Sequence, residues 1–362
     1  MNSTFYFHPQ RFKIRAMPAG VFACIGFFLL PANTAWSAEK ITTSRWNPGP
    51  VIGHPAGGEK WVADRMGDCI GWPLLGFRQM NSNRCSSVQS SQPVTDSTKT
   101  LFLWNGRAPI DQTQFEKADT RITLHQPTKP NGTAIVICPG GGYGGLVTGA
   151  EGHGIAKWLG GHGITGIVLE YRLPKGRPYV PLLDAQRTLR TVRTHAKAWG
   201  VHPDRIGIMG FSAGGHLAAT AGTHFDQGTP AATDPVNRVS CRPNFTILVY
   251  PVITMGPLGH AGSRRNLLGN DPSAELVDYF SNEKQVTVDT PPTFLAHALD
   301  DKPVPPENSR MLQRELKRQK IPVQYLQLPR GGHGLNGYKG PMWDAWQRES
   351  IKWLSQQKLL TP

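Results

Sequence analysis

Short apolar runs alternate with amphipathic segments from about residue 120 to the end of the chain. The run AIVIC within 133–139 is apolar throughout, which is typical of a strand buried on both faces of a parallel sheet. The segments between such runs carry the 3.6-residue spacing of helices with one apolar face. This alternation predicts an α/β fold with a mostly parallel central sheet and helices on both faces. The predicted strands lie at 121–127, 133–139, 165–171, 205–209, 245–253, 292–298 and 322–328, and the predicted helices at 154–163, 182–199, 213–224, 306–319 and 342–357.

The segment 39–115 lacks this pattern. It holds a Pro/Gly cluster, NPGPVIGHPAGGE, and a Ser/Gln/Asn tract, NSNRCSSVQSSQPVTDST. Clusters of this composition are typical of irregular chain. We therefore assign 39–115 as an irregular N-terminal extension and 116–358 as the folded α/β domain.

The first 38 residues have the pattern of a secretory signal peptide. Three basic residues precede a short apolar core at 21–30, and the small residues of ANTAWSA offer a cleavage site. The core is shorter than the roughly 20 apolar residues that a transmembrane helix needs. We expect cleavage after Ser37 or Ala38, export to the periplasm or the extracellular space, and no membrane anchor in the mature chain.

The chain of 362 residues is basic, with a formal net charge of +14 that falls to +11 when the leader is removed. A basic surface favours anionic polymers such as uronic-acid-bearing polysaccharides, or simply repels other cations. Four cations share one side of the predicted helix 182–199, and we interpret them as a solvated face. Because basic and aromatic residues are not interleaved and no nucleic-acid motif is present, we expect no polynucleotide partner. The four cations are Arg187, Arg190, Arg193 and Lys197.

Four of the five cysteines remain after export. In an oxidising compartment we expect Cys69 and Cys85 to form a disulfide, because both lie in a loop-rich region 16 positions apart. Cys138 ends an apolar strand and is expected to be a buried thiol. The state of Cys241, free or paired, stays open. The spacing of Cys and His predicts no metal site.

The strand at 205–209 runs directly into GFSAGGH, residues 210–216, and then into a helix rich in Ala and Gly. This is the context of a nucleophile elbow, in which small residues let the turn close and the oxygen of Ser212 points out above the sheet. The N-terminus of the following helix favours developing negative charge. An ordinary glycine turn is the competing interpretation of this motif taken alone.

A second glycine-rich stretch, CPGGGYGG at 138–145, follows another predicted strand. Consecutive glycines allow backbone N–H groups to approach an oxyanion without obstruction by side chains. A phosphate loop is the alternative, but the stretch lacks a G-K-[ST] ending and a G-x-G-x-x-G pattern with a downstream acid. We therefore interpret it as an oxyanion loop.

An acid and a base follow the serine, each just after a predicted strand. Asp300 and Asp301 come directly after the apolar strand PTFLAHA, and His333 lies in the GGHG loop after the last strand. The order Ser, Asp, His and the strand context favour a catalytic triad with Ser212 as the nucleophile. The residues alone leave the acid open between Asp300 and Asp301.

Together these motifs resemble the α/β-hydrolase superfamily, and specifically its bacterial exported esterases of the acetyl xylan esterase and carbohydrate esterase type. The resemblance runs from about residue 118 to 356 and does not extend to the chain before 115. It is carried by CPGGGYGGL, EYRLP, DAQRTLRTVR, DRIGIMGFSAGGHLAA, RPNFTILVYPVIT, PPTFLAHALDDKPVPPENS and GGHG.

The resemblance implies a serine esterase that removes small acyl groups, acetyl first, from xylan-type polysaccharide or its oligosaccharides. Its D-x-x-V-P pattern places the acid on Asp301 and makes Asp300 a neighbour that shapes the loop. Its PGGGY loop places oxyanion donors at Gly141 and Gly142, joined by the amide of Ala213. No metal or organic cofactor is implied.

Other polar residues near these motifs have less defined roles. Glu151 and His153, beside the glycine loop, are interpreted as structural, and His216 as a packed helix residue rather than a second base. Tyr143 and Tyr338 flank the predicted pocket, and for both of them stacking on sugar rings stays open.

Two alternatives remain for the function. A lipase-like or feruloyl-type esterase would accept larger acyl or aryl groups. Against a lipase, the segment 255–290, which we expect to lie over the site as a short cap, is polar and not a long apolar lid. A catalytically silent hydrolase fold used for binding would have lost at least one triad position, and all three are present.

Overall fold

The computed structural model describes residues 97–111 and 113–360. The predicted signal peptide, most of the extension 39–115 and the predicted Cys69–Cys85 disulfide lie outside these residues, so they stay predictions. The strands are β1 (Ser97–Phe102), β2 (Ala108–Pro109), β3 (Phe115–Glu116), β4 (Arg121–Gln126), β5 (Ala134–Cys138), β6 (Thr165–Glu170), β7 (Ile206–Phe211), β8 (Phe245–Val249), β9 (Thr293–Ala298) and β10 (Val323–Leu328). The helices are α1 (Gly154–Gly160), α2 (Tyr179–Thr194), α3 (Ser212–Thr223), α4 (Ala261–Leu268), α5 (Ala274–Tyr279), α6 (Glu307–Arg318), the single turn α7 (Leu335–Tyr338) and α8 (Pro341–Gln356).

Eight strands form one sheet in the order β1-β4-β6-β5-β7-β8-β9-β10. β4 is antiparallel to both β1 and β6, and the other pairings in this sheet are parallel. β2 and β3 form a separate antiparallel pair. The predicted mostly parallel sheet is therefore confirmed.

Helices cover both faces of the sheet, as predicted. α2, α3 and α6 contribute apolar side chains to the core on one face, and α1 and α8 contribute to the core on the other. Every residue of β5, β7, β8 and β9 is buried, because these central strands meet helices on both sides. Their carboxyl ends point to one edge of the sheet, which is where ligand sites form in open α/β folds.

The sheet begins earlier than the predicted domain boundary at 116. β1 lies inside the segment assigned as irregular, yet it pairs with β4 from Ser97 opposite Gln126 to Phe102 opposite Arg121. The boundary was wrong because β1 is an edge strand with five of its six residues exposed. Its sequence, STKTLF, therefore lacks the apolar signal of a buried strand.

Of the four cations, Lys197 lies beyond the end of α2 and is exposed, as the interpretation required, whereas the three arginines of α2 do not form a solvated face, so the interpretation was wrong for them. Arg187 donates to the carboxylate of Asp234 at 2.6 Å, and Arg190 forms an ion pair with Asp226. Arg193 donates to main-chain carbonyl groups in the same connection after α3. A charged stripe predicts an exposed face only where no other segment covers it, and here that connection supplies anions and carbonyl oxygens to the guanidinium groups.

One titratable side chain of α3 is fully buried. The Nε2 of His216 donates to the carbonyl oxygen of Phe280 at 2.7 Å, and its Nδ1 accepts from the Tyr143 hydroxyl at 2.8 Å. Burial lowers the pKa of His216 to about 4, so the imidazole is neutral at pH 7. His216 is therefore a packed helix residue, as predicted.

We expect the buried state of His216 to make the fold less stable at mildly acidic pH. The unfolded state binds a proton at this residue below about pH 6.5, whereas the folded state does not until about pH 4. Stability is therefore lost as the pH falls through that window, by roughly 2 to 3 kcal/mol at about pH 4.5. Urea unfolding of wild type and His216→Gln at pH 7 and pH 4.5 measures the effect. The variant should lose less stability between the two pH values, and an equal loss in both proteins would contradict the assignment.

Candidate active site

Ser212 lies where β7 passes into α3, at the carboxyl edge of the sheet. Its φ is 52°, in the left-handed region that residues other than glycine rarely adopt, and 8% of its surface is exposed. Close packing imposes this turn: a Cβ on Gly210 would lie 2.0 Å from the carbonyl oxygen of Gly214, and a Cβ on Gly214 would lie 2.1 Å from that of Cys138. This is the elbow geometry that the sequence predicts.

His333 connects Ser212 to a buried carboxylate. Its Nε2 lies 2.8 Å from Ser212 Oγ, and its Nδ1 lies 2.7 Å from Asp301 Oδ2. An ionised carboxylate can only accept, so the pattern places the proton on Nδ1 and leaves Nε2 to accept from the serine hydroxyl. The three residues follow β7, β9 and β10, and the structure brings them together as the sequence predicts.

Asp301 is held as an anion by the groups around it. Burial by itself would raise its pKa, but hydrogen bonds from His297 and His333 outweigh burial and lower the pKa to about 2. Its Oδ1 accepts the Val304 N–H at 3.0 Å, and its Oδ2 accepts from His297 Nε2 at 3.2 Å. A carboxylate that stays ionised at neutral pH can orient the imidazole and stabilise its protonated form.

Asp300 is exposed and binds the backbone of the loop that carries His333. Its carboxylate accepts the N–H of Gly332 at 2.8 Å and that of Gly331 at 3.2 Å. The bond from Gly332 is the main reason that its pKa lies below the ordinary value. Asp300 therefore shapes the loop, which is the part that the resemblance implies for it.

The glycine loop after β5 packs against the elbow, since a Cβ on Gly140 would lie 3.1 Å from the Cβ of Ser212. The φ angles of Gly141 and Gly142 are 129° and 62°. The amides of these two glycines have no acceptor among the residues that the structure describes. The amide of Ala213 lies in the first turn of α3, where N–H groups have no partner within the helix. Unpaired amides next to a serine are what an oxyanion site requires.

The two tyrosines predicted to flank the pocket differ in their surroundings. Tyr143 is 2% exposed and its hydroxyl is bonded to His216, so stacking on a sugar ring is wrong for this residue. The reason is its φ of 59°, which continues the left-handed turn of the glycine loop and directs the ring into the core. Tyr338 is partly exposed, and its ring packs edge-on against Trp343 with the ring centroids 5.4 Å apart. Sugar stacking by Tyr338 stays a prediction.

Glu151 lies directly behind the glycine loop. It is 3% exposed, its Oε2 accepts the Gly140 N–H at 2.7 Å, and its Oε1 accepts the Tyr250 hydroxyl at 2.9 Å. Burial raises its pKa above the ordinary value, although the bonds from Gly140 and Tyr250 oppose the shift. Its neighbour His153 has a structural contact of its own, with Nδ1 lying 3.0 Å from Nε2 of His125 on β4.

Sequence analysis missed two residues of this site. His297 is buried in β9 and links Asp301 to Ser309, whose Oγ lies 2.8 Å from its Nδ1. Tyr250 follows β8, and its ring packs edge-on against His333 with the centroids 4.9 Å apart. A histidine within the apolar run FLAHA was a usable signal for His297. The sequence around Tyr250 carries no such signal, because aromatic residues are common at the end of a buried strand.

The polar segment 255–290 borders the glycine loop, in keeping with the position expected for it. Asn266 on α4 donates from Nδ2 to the carbonyl oxygen of Gly142 at 2.9 Å. His260 caps the start of α4 by accepting the Ser263 N–H at 3.2 Å, and its ring lies 3.8 Å from where a Cβ on Gly142 would be.

Cys138 is a buried free thiol, as predicted, and Cys241 is also buried and free. Within 97–111 and 113–360, no group of three or more His, Cys, Asp or Glu side chains is placed to hold a metal ion. No helix in the described part of the chain has both the length and the apolar character needed to cross a bilayer.

The profile of the BD-FAE family matches residues 122–316, which include the glycine loop, Ser212 and Asp301. The match spans more than half of the chain. The chain belongs to the BD-FAE family.

This BD-FAE chain is similar to a solved structure named acetyl ester-xyloside bifunctional hydrolase from Caldicellulosiruptor lactoaceticus. The two share 37% identity and a TM-score of 0.68, and the match covers 72% of this chain and 97% of that one. The α/β-hydrolase fold implied by the sequence resemblance is confirmed.

Two curated relatives match this BD-FAE chain over shorter stretches. Endo-1,4-beta-xylanase B of Butyrivibrio fibrisolvens is 37% identical over 221 residues, which are 59% of this chain. Acetylxylan esterase of Xylanibacter ruminicola is 39% identical over 183 residues, which are 49% of this chain. The matched stretches span about a third of these relatives, 34% and 36% of their lengths.

The contacts of the two neighbouring aspartates predict very different effects when each is made neutral. Asp301→Asn should lower kcat on p-nitrophenyl acetate by about 10⁴-fold, because an amide cannot hold the imidazole in the required tautomer. Asp300→Asn should cause a far smaller loss, because it only weakens the loop contacts with Gly331 and Gly332. Steady-state kinetics of both variants check the ranking, and the reverse order would mean that Asp301 is not the acid.

The packing of the elbow predicts that even one methyl group is not tolerated at Gly214. Gly214→Ala would press a Cβ against the carbonyl oxygens of Cys138 and Pro139, so we expect a loss of about 1 to 3 kcal/mol or more in unfolding free energy, together with loss of activity. Gly149→Ala is the matched control, because nothing lies within 4 Å of its Cβ, and it should stay within about 0.5 kcal/mol of wild type. Equal stability of the two variants in urea unfolding would contradict the packing argument.

Proposed function

We propose that this protein is a serine carboxylic-ester hydrolase that works through an acyl-enzyme on Ser212. The observation that carries the proposal is the hydrogen-bonded series from Ser212 through His333 to Asp301, with contacts of 2.8 and 2.7 Å. A serine with a base and an orienting acid at these distances has the geometry of covalent acyl transfer. The Xylanibacter ruminicola relative is named an esterase and the name of the Caldicellulosiruptor lactoaceticus structure includes an acetyl ester, and both names support an ester as the bond that is cleaved.

The proposed reaction has two steps. Ser212 attacks the ester carbonyl while His333 Nε2 takes its proton, and Asp301 stabilises the imidazolium that forms. Amides of the glycine loop and the amide of Ala213 bind the tetrahedral oxyanion. The alcohol leaves with a proton from His333, and water then repeats the sequence on the acyl-enzyme.

We further propose that the acyl group is small, acetyl first, and that it is removed from xylan-type polysaccharide or its oligosaccharides. One relative is named for acetylxylan, and the similar solved structure is named for acetyl ester and xyloside hydrolysis. Export, proposed from the pattern of the first 38 residues, would bring the enzyme to a polymer outside the cytoplasm.

The proposal is tested by comparing kcat/KM on p-nitrophenyl acetate, butyrate and octanoate, alongside acetate release from acetylated xylan. We expect the highest rate on acetate, a sharp fall with chain length, and acetate release from the polymer. Ser212→Ala should lose about 10⁶-fold in kcat, the loss typical when such a nucleophile is removed, with an unchanged circular dichroism spectrum.

Other results of this comparison would change the assignment. A preference for octanoate without release from xylan would move the protein to the lipase-like alternative. Full activity of folded Ser212→Ala would remove the mechanism. A folded wild type that hydrolyses no ester would favour a silent hydrolase fold.

A further inference from the structure

A buried carboxylate that the proposed reaction does not use lies behind the glycine loop. Glu151 sits in the turn Gly149–His153 just before α1 and is 3% exposed. It accepts the Gly140 N–H at 2.7 Å and the Tyr250 hydroxyl at 2.9 Å. These bonds satisfy the oxygens of an acidic group that would otherwise be costly to bury.

The groups bonded to Glu151 belong to two different parts of the site. Gly140 begins the stretch that supplies the proposed oxyanion amides. Tyr250 leaves β8, and its ring packs against the imidazole of His333 with the centroids 4.9 Å apart. One side chain is therefore bonded both to the oxyanion loop and to the surroundings of the base.

The glycine loop has little freedom to move independently of Glu151. A Cβ on Gly140 would lie 2.6 Å from Glu151 Oε2, 2.8 Å from the carbonyl oxygen of Phe211 and 3.1 Å from Ser212 Cβ. The loop is thus held between the carboxylate on one side and the elbow on the other. A change in the position of the carboxylate would move the loop amides relative to the serine oxygen.

The tyrosine bonded to Glu151 has a strained backbone. The φ angle of Tyr250 is 38°, in a region that aromatic residues seldom adopt. Such conformations persist where several contacts fix the same residue. The hydroxyl bond to the buried carboxylate supplies one of those contacts for Tyr250.

We propose that Glu151 is a positioning residue for ester hydrolysis, which fixes the glycine loop and the surroundings of His333 relative to Ser212. The inference rests on the proposed function. Oxyanion donors act only within a narrow distance of the developing charge, and a displacement of about 1 Å can cost about 10²-fold in rate.

Glu151→Gln tests this role with almost no change in size. A glutamine has one carbonyl oxygen and one NH₂ group, so it cannot accept from Gly140 on one side and from Tyr250 on the other. Glu283→Gln is the matched control, since burial also raises the pKa of Glu283, a partly buried glutamate in the turn Asn282–Lys284 after α5.

The kinetic result that we expect is a split between kcat and KM. In Glu151→Gln, kcat on p-nitrophenyl acetate should fall about 10²-fold while KM stays within about threefold of wild type. The affinity of a boronic-acid transition-state analogue should weaken in proportion to kcat/KM. Glu283→Gln should match wild type in all three quantities, and a fall in Glu151→Gln no larger than that of the control would overturn the proposal.

Amide hydrogen exchange supplies a readout that does not depend on any substrate. The peptide covering 139–147 should exchange faster in Glu151→Gln than in wild type or Glu283→Gln, and unchanged exchange would overturn the proposal. If wild type hydrolyses no ester, the proposed function fails by itself, and the exchange rates still decide whether Glu151 fixes the loop.

If Glu151→Gln does not fold, a variant that keeps the carboxylate tests the same role. Tyr250→Phe removes the hydroxyl that bonds to Glu151 and leaves Glu151 bonded to Gly140. We expect this variant to lower kcat with little change in KM. Wild-type kcat in Tyr250→Phe would overturn the proposal.

Discussion

The start of α3 approaches the end of β5 so closely that no side chain fits between them. At Gly214 the backbone packs on the carbonyl oxygens of Cys138 and Pro139, where a Cβ would lie 2.1 and 2.4 Å away. This contact allows the elbow to close with Ser212 in a left-handed conformation, and it brings the glycine loop alongside the serine. One piece of backbone packing therefore positions both the proposed nucleophile and the proposed oxyanion donors, and the proposed acid and base follow the neighbouring strands β9 and β10.

Two buried carboxylates serve this edge of the sheet, and their surroundings shift their pKa values in opposite directions. At Asp301, hydrogen bonds from His297 and His333 outweigh burial and lower the pKa to about 2, so the group is charged at neutral pH. At Glu151 burial dominates and raises the pKa, although the Gly140 N–H and the Tyr250 hydroxyl bond to it. We propose that Asp301 acts through the imidazole of His333 and that Glu151 acts through the backbone of the glycine loop.

The central strands and the triad could be predicted because both leave strong local signals. Buried strands appear as continuous apolar runs, and Ser212, Asp301 and His333 each follow one of them closely. The choice of Asp301 over its neighbour needed the family resemblance. In the structure the hydrogen bond to His333 comes from Asp301, and this contact could not be inferred from the residues alone.

Features that depend on which segments cover one another could not be predicted from local pattern. β1 was missed because an exposed edge strand has no apolar alternation. The pattern of α2 predicted solvent-exposed arginines, but the connection after α3 places acidic side chains against two of them. Tyr143 turns into the core because of positive φ angles in the glycine loop, which tertiary packing sets. Glu151 and Tyr250 are hydrogen-bonded although they lie 99 positions apart in the sequence, and no local pattern predicts such a contact.

The measurement that tests the central claim most directly is covalent labelling with a fluorophosphonate probe, followed by peptide mapping and residual ester hydrolysis. The account predicts one label per chain on Ser212, with activity lost in proportion to labelling, because the serine oxygen is activated by His333. Full labelling of Ser212 with activity retained would contradict it, as would complete inactivation with the label on another residue.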